Sequence, residues 1–193
     1  TEYNNHFYFM PHTLLRKYIS NYTITCSSNL KQDINDETSD ELTIIPDGSG
    51  CIIFEFDGKE IDEICWGPTS KLVKVKQGNS KYNKIMFFIE FLPGGLHALT
   101  GIHQKELKDV QCHVYDIDSK LSKSLRNAVE SSRSIDELIF KVDSILIQAI
   151  EENRRNLKNI LSFIDRIRHT GGVMQIKKLA ESEYISERQL NRI

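Results

Sequence analysis

The sequence predicts an α+β fold, an N-terminal antiparallel β-sandwich or barrel followed by α-helices. Three observations carry this. Between residues 42 and 92, short apolar runs are split by Asp-Gly, Gly-Pro and Gly-Asn pairs at spacings of about ten residues, the punctuation of an antiparallel all-β unit. From Ser119 onward the apolar residues recur at helical rather than alternating spacing. The last stretch, 171–193, carries two short helical patterns joined by a tight turn.

Taken in order, residues 1–30 begin with the aromatic residues Tyr3, Phe7, Tyr8 and Phe9, then Pro11 and a short helical patch around Leu14 and Leu15. Alternation of Tyr22, Ile24 and Cys26 predicts a strand. Residues 27–41 are polar and acidic with no apolar period, a solvent loop. Strands follow at 42–46, 51–56, 61–66, 72–76 and 85–92, bounded by Asp47-Gly48, Asp57-Gly58, Gly67-Pro68 and Gly78-Asn79. After Pro93-Gly94-Gly95 the pattern turns helical through Leu96, Leu99, Ile102 and Leu107, and 113–117 is expected to add one more strand.

Beyond this the chain is helical. Residues 119–130 place Leu121, Leu125 and Val129 on one face, and Ser134 caps a long helix bearing Ile135, Leu138, Ile139, Val142, Ile145, Leu146 and Ile150. So wide an apolar stripe either packs on the β-domain or pairs with the same helix of a second subunit. A further helix over 156–168 carries Leu157, Ile160, Leu161, Ile164 and Ile167 and ends at Gly171-Gly172. The chain thus divides into a β-rich region at 1–117, a helical linker or dimerisation region at 118–152, and a basic tail at 153–193.

In the tail, 175–182 sets Ile176, Leu179 and Ala180 on one face, Glu183, Tyr184 and Ile185 turn, and 186–193 carries Leu190 and Ile193. Ser186 with Gln189 three residues on is a capping box that starts the second helix. This is helix-turn-helix spacing: small Ala180 allows a close crossing, Ile185 plugs the turn, and Arg188, Asn191 and Arg192 point outward. Arginine and asparagine read guanine and adenine edges, and Lys177 on the preceding helix suits a phosphate contact.

These residues resemble the first helix-turn-helix of the AraC/XylS transcriptional regulators, matched by Ile176, Leu179, Ala180, Ser186, Leu190, Arg192 and Ile193. The segments IIPDGSGCIIFEF, WGPTS and FIEFLPGGLHALTG resemble the N-terminal sensor region of a subgroup of the same family. In that family the motif is followed by Phe-Lys, a long linking helix and a second helix-turn-helix. With Ile193 as the last residue, the resemblance implies a DNA-binding unit truncated within its first motif. It further implies a cytoplasmic, dimeric one-component regulator with a cupin-like sensor domain, DNA as partner and a small-molecule effector. Trp66, Phe54, Phe91 and His97 are then the candidate ligand-pocket residues, although aromatic residues on strands also serve as plain core.

Charge supports a nucleic-acid partner for the tail. Asn153 to Ile193 holds nine Lys and Arg against four Asp and Glu, or +5, leaving sixteen against twenty-three, or −7, for residues 1–152. No run approaches a membrane span and the N-terminus lacks the order of a secretion signal, so a cytoplasmic location is expected. Cys26, Cys51, Cys65 and Cys112 share no C-x-x-C spacing and read as reduced small hydrophobes. His97 and His103, like His6 and His12, are six apart, wrong for two ligands on one helical face, and no His-x-His occurs; no metal and no cofactor are expected. Asp47, Glu55, Asp57, Asp62 and Glu63 lie in or beside strands, where an acid-base pair is conceivable, but turns and edges collect acidic residues anyway. Without a phosphate loop, nucleophile elbow or Cys/His arrangement, no enzyme is expected. The alternative is a stand-alone cupin-like small-molecule-binding protein or enzyme with a helical tail.

Overall fold

The computed structural model describes residues 5–27, 41–44, 46, 48–76, 84–153, 160–182 and 184–190. The expected loop at 28–40, Asp47, the Gly78-Asn79 turn, Glu183, and Asn191 with Arg192 lie outside the described residues, as does the start of the helix expected from 156.

The fold is α+β. Strands β1 (Asn5–Phe9), β2 (Ile19–Ser27), β4 (Cys51–Phe56), β5 (Ile61–Trp66), β7 (Lys84–Phe91) and β8 (Gln111–Cys112) form one six-stranded sheet in the order β1-β2-β7-β4-β5-β8. β3 (Glu41–Ile44) pairs with β6 (Val73–Lys76) in a separate two-stranded sheet, and every described pairing is antiparallel. Alternation fixes the faces: Ile52 and Phe54 on β4, Cys65 on β5, and Phe87, Ile89 and Phe91 on β7 are all buried, while their neighbours point the other way.

Helices close the inner face. α1 (Gly95–Thr100), α2 (Gln104–Leu107), α3 (Val114–Ile117), α4 (Ser119–Ser131) and α5 (Ile135–Asn153) follow β7, interrupted only by β8. Leu96 and Leu99 of α1, Leu121 and Leu125 of α4, and Val142, Leu146 and Ile150 of α5 share one core with Tyr22, Ile52, Phe54 and Ile89. Burying each such side chain contributes about 1.5–3 kcal/mol relative to leaving it exposed. Residues 118–152 therefore belong energetically to the sheet they cover, and the stripe of α5 is spent largely within its own chain, leaving Phe140 at the surface.

Two glycines of the motifs read from the sequence are explained by close approach. A Cβ on Gly67 would overlap the Leu107 carbonyl oxygen, and one on Gly95 would overlap the Tyr18 carbonyl oxygen, so Gly-Pro and Pro-Gly-Gly mark places where two backbones touch. One local expectation is corrected. The segment 113–117 is no strand: β8 ends at Cys112, and Val114–Ile117 is a helical turn closed by the Asp118 N–H donating to the Val114 oxygen at 2.9 Å, with Val114 buried beneath it. Phe7, Tyr8 and Phe9, for which the sequence suggested no element, lie in β1, an edge strand that leaves Phe7 and Tyr8 exposed, while Tyr3 lies outside the described residues.

Candidate functional site

At the C-terminal end, α6 (Ile160–His169) stops where Gly171 and Gly172 take left-handed backbone, φ +60° and +78°, and the Gly172 N–H donates to the Ile167 oxygen at 2.9 Å. α7 (Ile176–Ser182) and α8 (Glu187–Leu190) follow and pack on each other. The capping box forms as expected: the Gln189 N–H donates to Ser186 Oγ at 3.2 Å, and the Ser186 N–H donates to Gln189 Oε1 at 2.8 Å. Leu179 and Ala180 are buried, and the Ile185 N–H returns to the Ala180 oxygen at 3.1 Å, locking the turn. Ile176, expected on the buried face, is 55% exposed. Lys177 and Arg188 are exposed, and the latter sits one residue into α8.

The β-region separates the four candidate pocket residues. Phe54 is almost fully buried but lines a cavity of about 730 Å³ between the inner face of the sheet and helices α4 and α5. Trp66 lines a second cavity of about 420 Å³ with Leu72, Asp109 and Gln111. Phe91 and His97 line neither and are core residues. The His97 Nδ1 lies 2.6 Å from the Ile102 oxygen, which makes it the protonated nitrogen, while Nε2 is buried with no partner among the described residues.

Of the acidic residues, Asp62 and Glu63 are adjacent and so project from opposite faces of β5. Asp62 is exposed, whereas Glu63 is buried under α4, accepting from the Ser122 hydroxyl and standing 3.9 Å from Arg126 Nε. Asp57 caps its own turn, accepting from the Lys59 and Glu60 N–H groups. Among the described residues, no three His, Cys, Asp or Glu side chains gather as metal ligands would, and no helix is long and apolar enough to cross a membrane.

Two features escaped the sequence. Tyr22, wholly buried in the sheet, donates its hydroxyl to Asp143 of α5 at 2.6 Å, and the same carboxylate accepts from the His12 N–H at 3.1 Å. Arg126 reaches across from α4 to the Ile61 oxygen at 2.5 Å. Both are polar ties between sheet and helix that no periodicity encodes. A protein-family model described as a domain of unknown function (DUF6597) matches residues 8–113. No curated protein and no solved structure matches the chain.

Proposed function

We propose that this chain, which belongs to the DUF6597 family of domains of unknown function, is the sensor and first DNA-reading unit of a one-component transcription regulator. That uncharacterised domain is placed in the N-terminal regions of AraC-type regulators, in line with the resemblance of the tail. The observation that carries the reading is the geometry of α7 and α8: a buried Leu179-Ala180 crossing, a capping box at Ser186, and Arg188 exposed on α8. In this reading Arg188, Asn191 and Arg192 contact bases, Lys177 contacts phosphate, and the acidic sheet domain faces away from the duplex. The β-region supplies the effector site and catalyses nothing.

Selection of duplexes from a random-sequence library by the protein at its natural length tests this. The expected result is enrichment of a defined sequence that is lost with Ser186→Pro/Leu179→Asp in α7–α8. Recovery of the random input at physiological salt would refute the DNA reading and favour the stand-alone binding protein.

A further inference from the structure

The inner face of a sheet under two helices is normally filled by side chains to crystal-like density. Here the filling stops short. Phe54 and Phe87 are buried and directly paired, yet Phe56 and Ile85, one step further along the same face and also directly paired, are 38% and 43% exposed. Ile61 pairs with Phe56 from the other side and extends the same apolar floor. Val129 of α4 and Leu138 of α5 stand opposite, leaving the cavity of about 730 Å³ between them. That lies within the range of about 300–1,000 Å³ typical of small-molecule sites, whose walls are mostly apolar with a few placed polar groups.

The charges select the class of occupant. Lys59 and Arg126 are matched on the lining by Glu60 and Glu130, and Arg126 already faces the buried Glu63 carboxylate. Among the described residues no excess charge awaits a counter-ion, and bringing an unpaired ion against this floor would be costly. Arg126 is held by its bond to the Ile61 oxygen, and its other guanidinium N–H groups make no hydrogen bond among the described residues. We infer that the space between the strand ends of β4, β5 and β7 and helices α4 and α5 binds an uncharged, largely apolar small molecule. An oxygen of that molecule accepts from Arg126. Its role as the effector rests on the regulator reading, because it touches sheet, α4 and α5 at once; its binding does not.

The test reads binding alone, without DNA. The 193-residue chain is titrated with N-phenyl-1-naphthylamine, an uncharged fluorescent probe, and with its anionic relative 8-anilinonaphthalene-1-sulfonate. Saturable binding of the uncharged probe at one site per chain is expected, with the anion about tenfold weaker or worse. Val129→Trp and Leu138→Trp fill the space and should each weaken the uncharged probe about tenfold or more, whereas Leu72→Trp, in the second cavity, should leave it unchanged. Loosened packing exposes apolar surface and raises dye binding, so a loss cannot be produced by partial unfolding. Should either tryptophan variant lose its cooperative melting, Phe56→Lys and Ile85→Lys, at part-exposed floor positions, replace it with the same expected loss. Equal probe binding by unaltered and filled chains, several sites per chain, or tighter binding of the anion would overturn the inference.

Discussion

At the scale of single residues, the core holds two protons that the sequence does not advertise. Burial, reinforced by the hydrogen bond and charge of Asp143, raises the Tyr22 phenol far above its ordinary value of 10.0, and burial beside Cys112 pushes the Cys65 thiol from 9.0 up to about 12. Both groups bind their proton more tightly folded than unfolded. The contribution of Cys65 is therefore complete below pH 9 and is lost as pH climbs from 9.0 to about 12, whereas that of Tyr22 begins to fall only above 10.0. Thermal unfolding followed from pH 8 upward should show falling midpoints, and Tyr22→Phe and Cys65→Ala should each flatten the slope; identical slopes would mean neither proton is held this way. At neutral pH Tyr22→Phe should cost about 1–3 kcal/mol, since the Asp143 carboxylate loses its strongest neutral donor in a half-buried place. Tyr22 was legible as a strand residue from its alternation with Ile24 and Cys26. Its partner was not, because Asp143 lies on a helix 121 residues away.

At the scale of elements, legibility followed length and punctuation. Strands 51–56 and 61–66 were readable to the residue because Asp57-Gly58 and Gly67-Pro68 close them. β8 has two residues and α3 has four, too few to display any period, and so 113–117 was misread. β1 was missed because Phe7, Tyr8 and Phe9 run without alternation at an edge where only one neighbour holds them. The helix caps divide in the same way. Ser134 accepts from the Glu137 N–H at 3.2 Å, as its place before an apolar stripe predicted. Asp118 caps α4 more fully, accepting from Lys120 at 2.9 Å and Leu121 at 3.0 Å, and the helix starts at Ser119 as the spacing predicted. Asp118→Ala should then cost about 1 kcal/mol and lower the melting midpoint by about 2–4 °C, with Asp118→Asn close to neutral. Equal losses in both variants would point to charge on the helix rather than to the cap.

At the scale of the whole molecule, aromatic residues on strands could be counted in the sequence but not assigned, because a cavity is decided by which distant helix covers which part of a strand. Phe54 and Phe91 have the same chemistry and the same facing, yet of the two it is Phe54 that lines the cavity of about 730 Å³, beside the end of α4 and the start of α5. The wide stripe of α5 was likewise visible while its partner was not: Val142, Leu146 and Ile150 are spent on the chain's own core. The helix-turn-helix spacing was legible because capping and crossing are local, and it supports a division of labour that can be tested in the protein at its natural length. Ser186 fixes the start of α8, so Arg188 projects from its first turn, away from half-buried Leu190. A bidentate arginine–guanine pair is worth about 1–3 kcal/mol of discrimination, while a phosphate contact weakens all sequences alike. Arg188→Ala should therefore relax preference at one base position with little change in salt dependence. Lys177→Ala should preserve base preference and reduce the salt slope by about 1. Because Lys177 and Arg188 lie on different helices of one packed pair, exchanging the two outcomes would place α7 rather than α8 in the groove, and no change in either would leave this pair without a reading role.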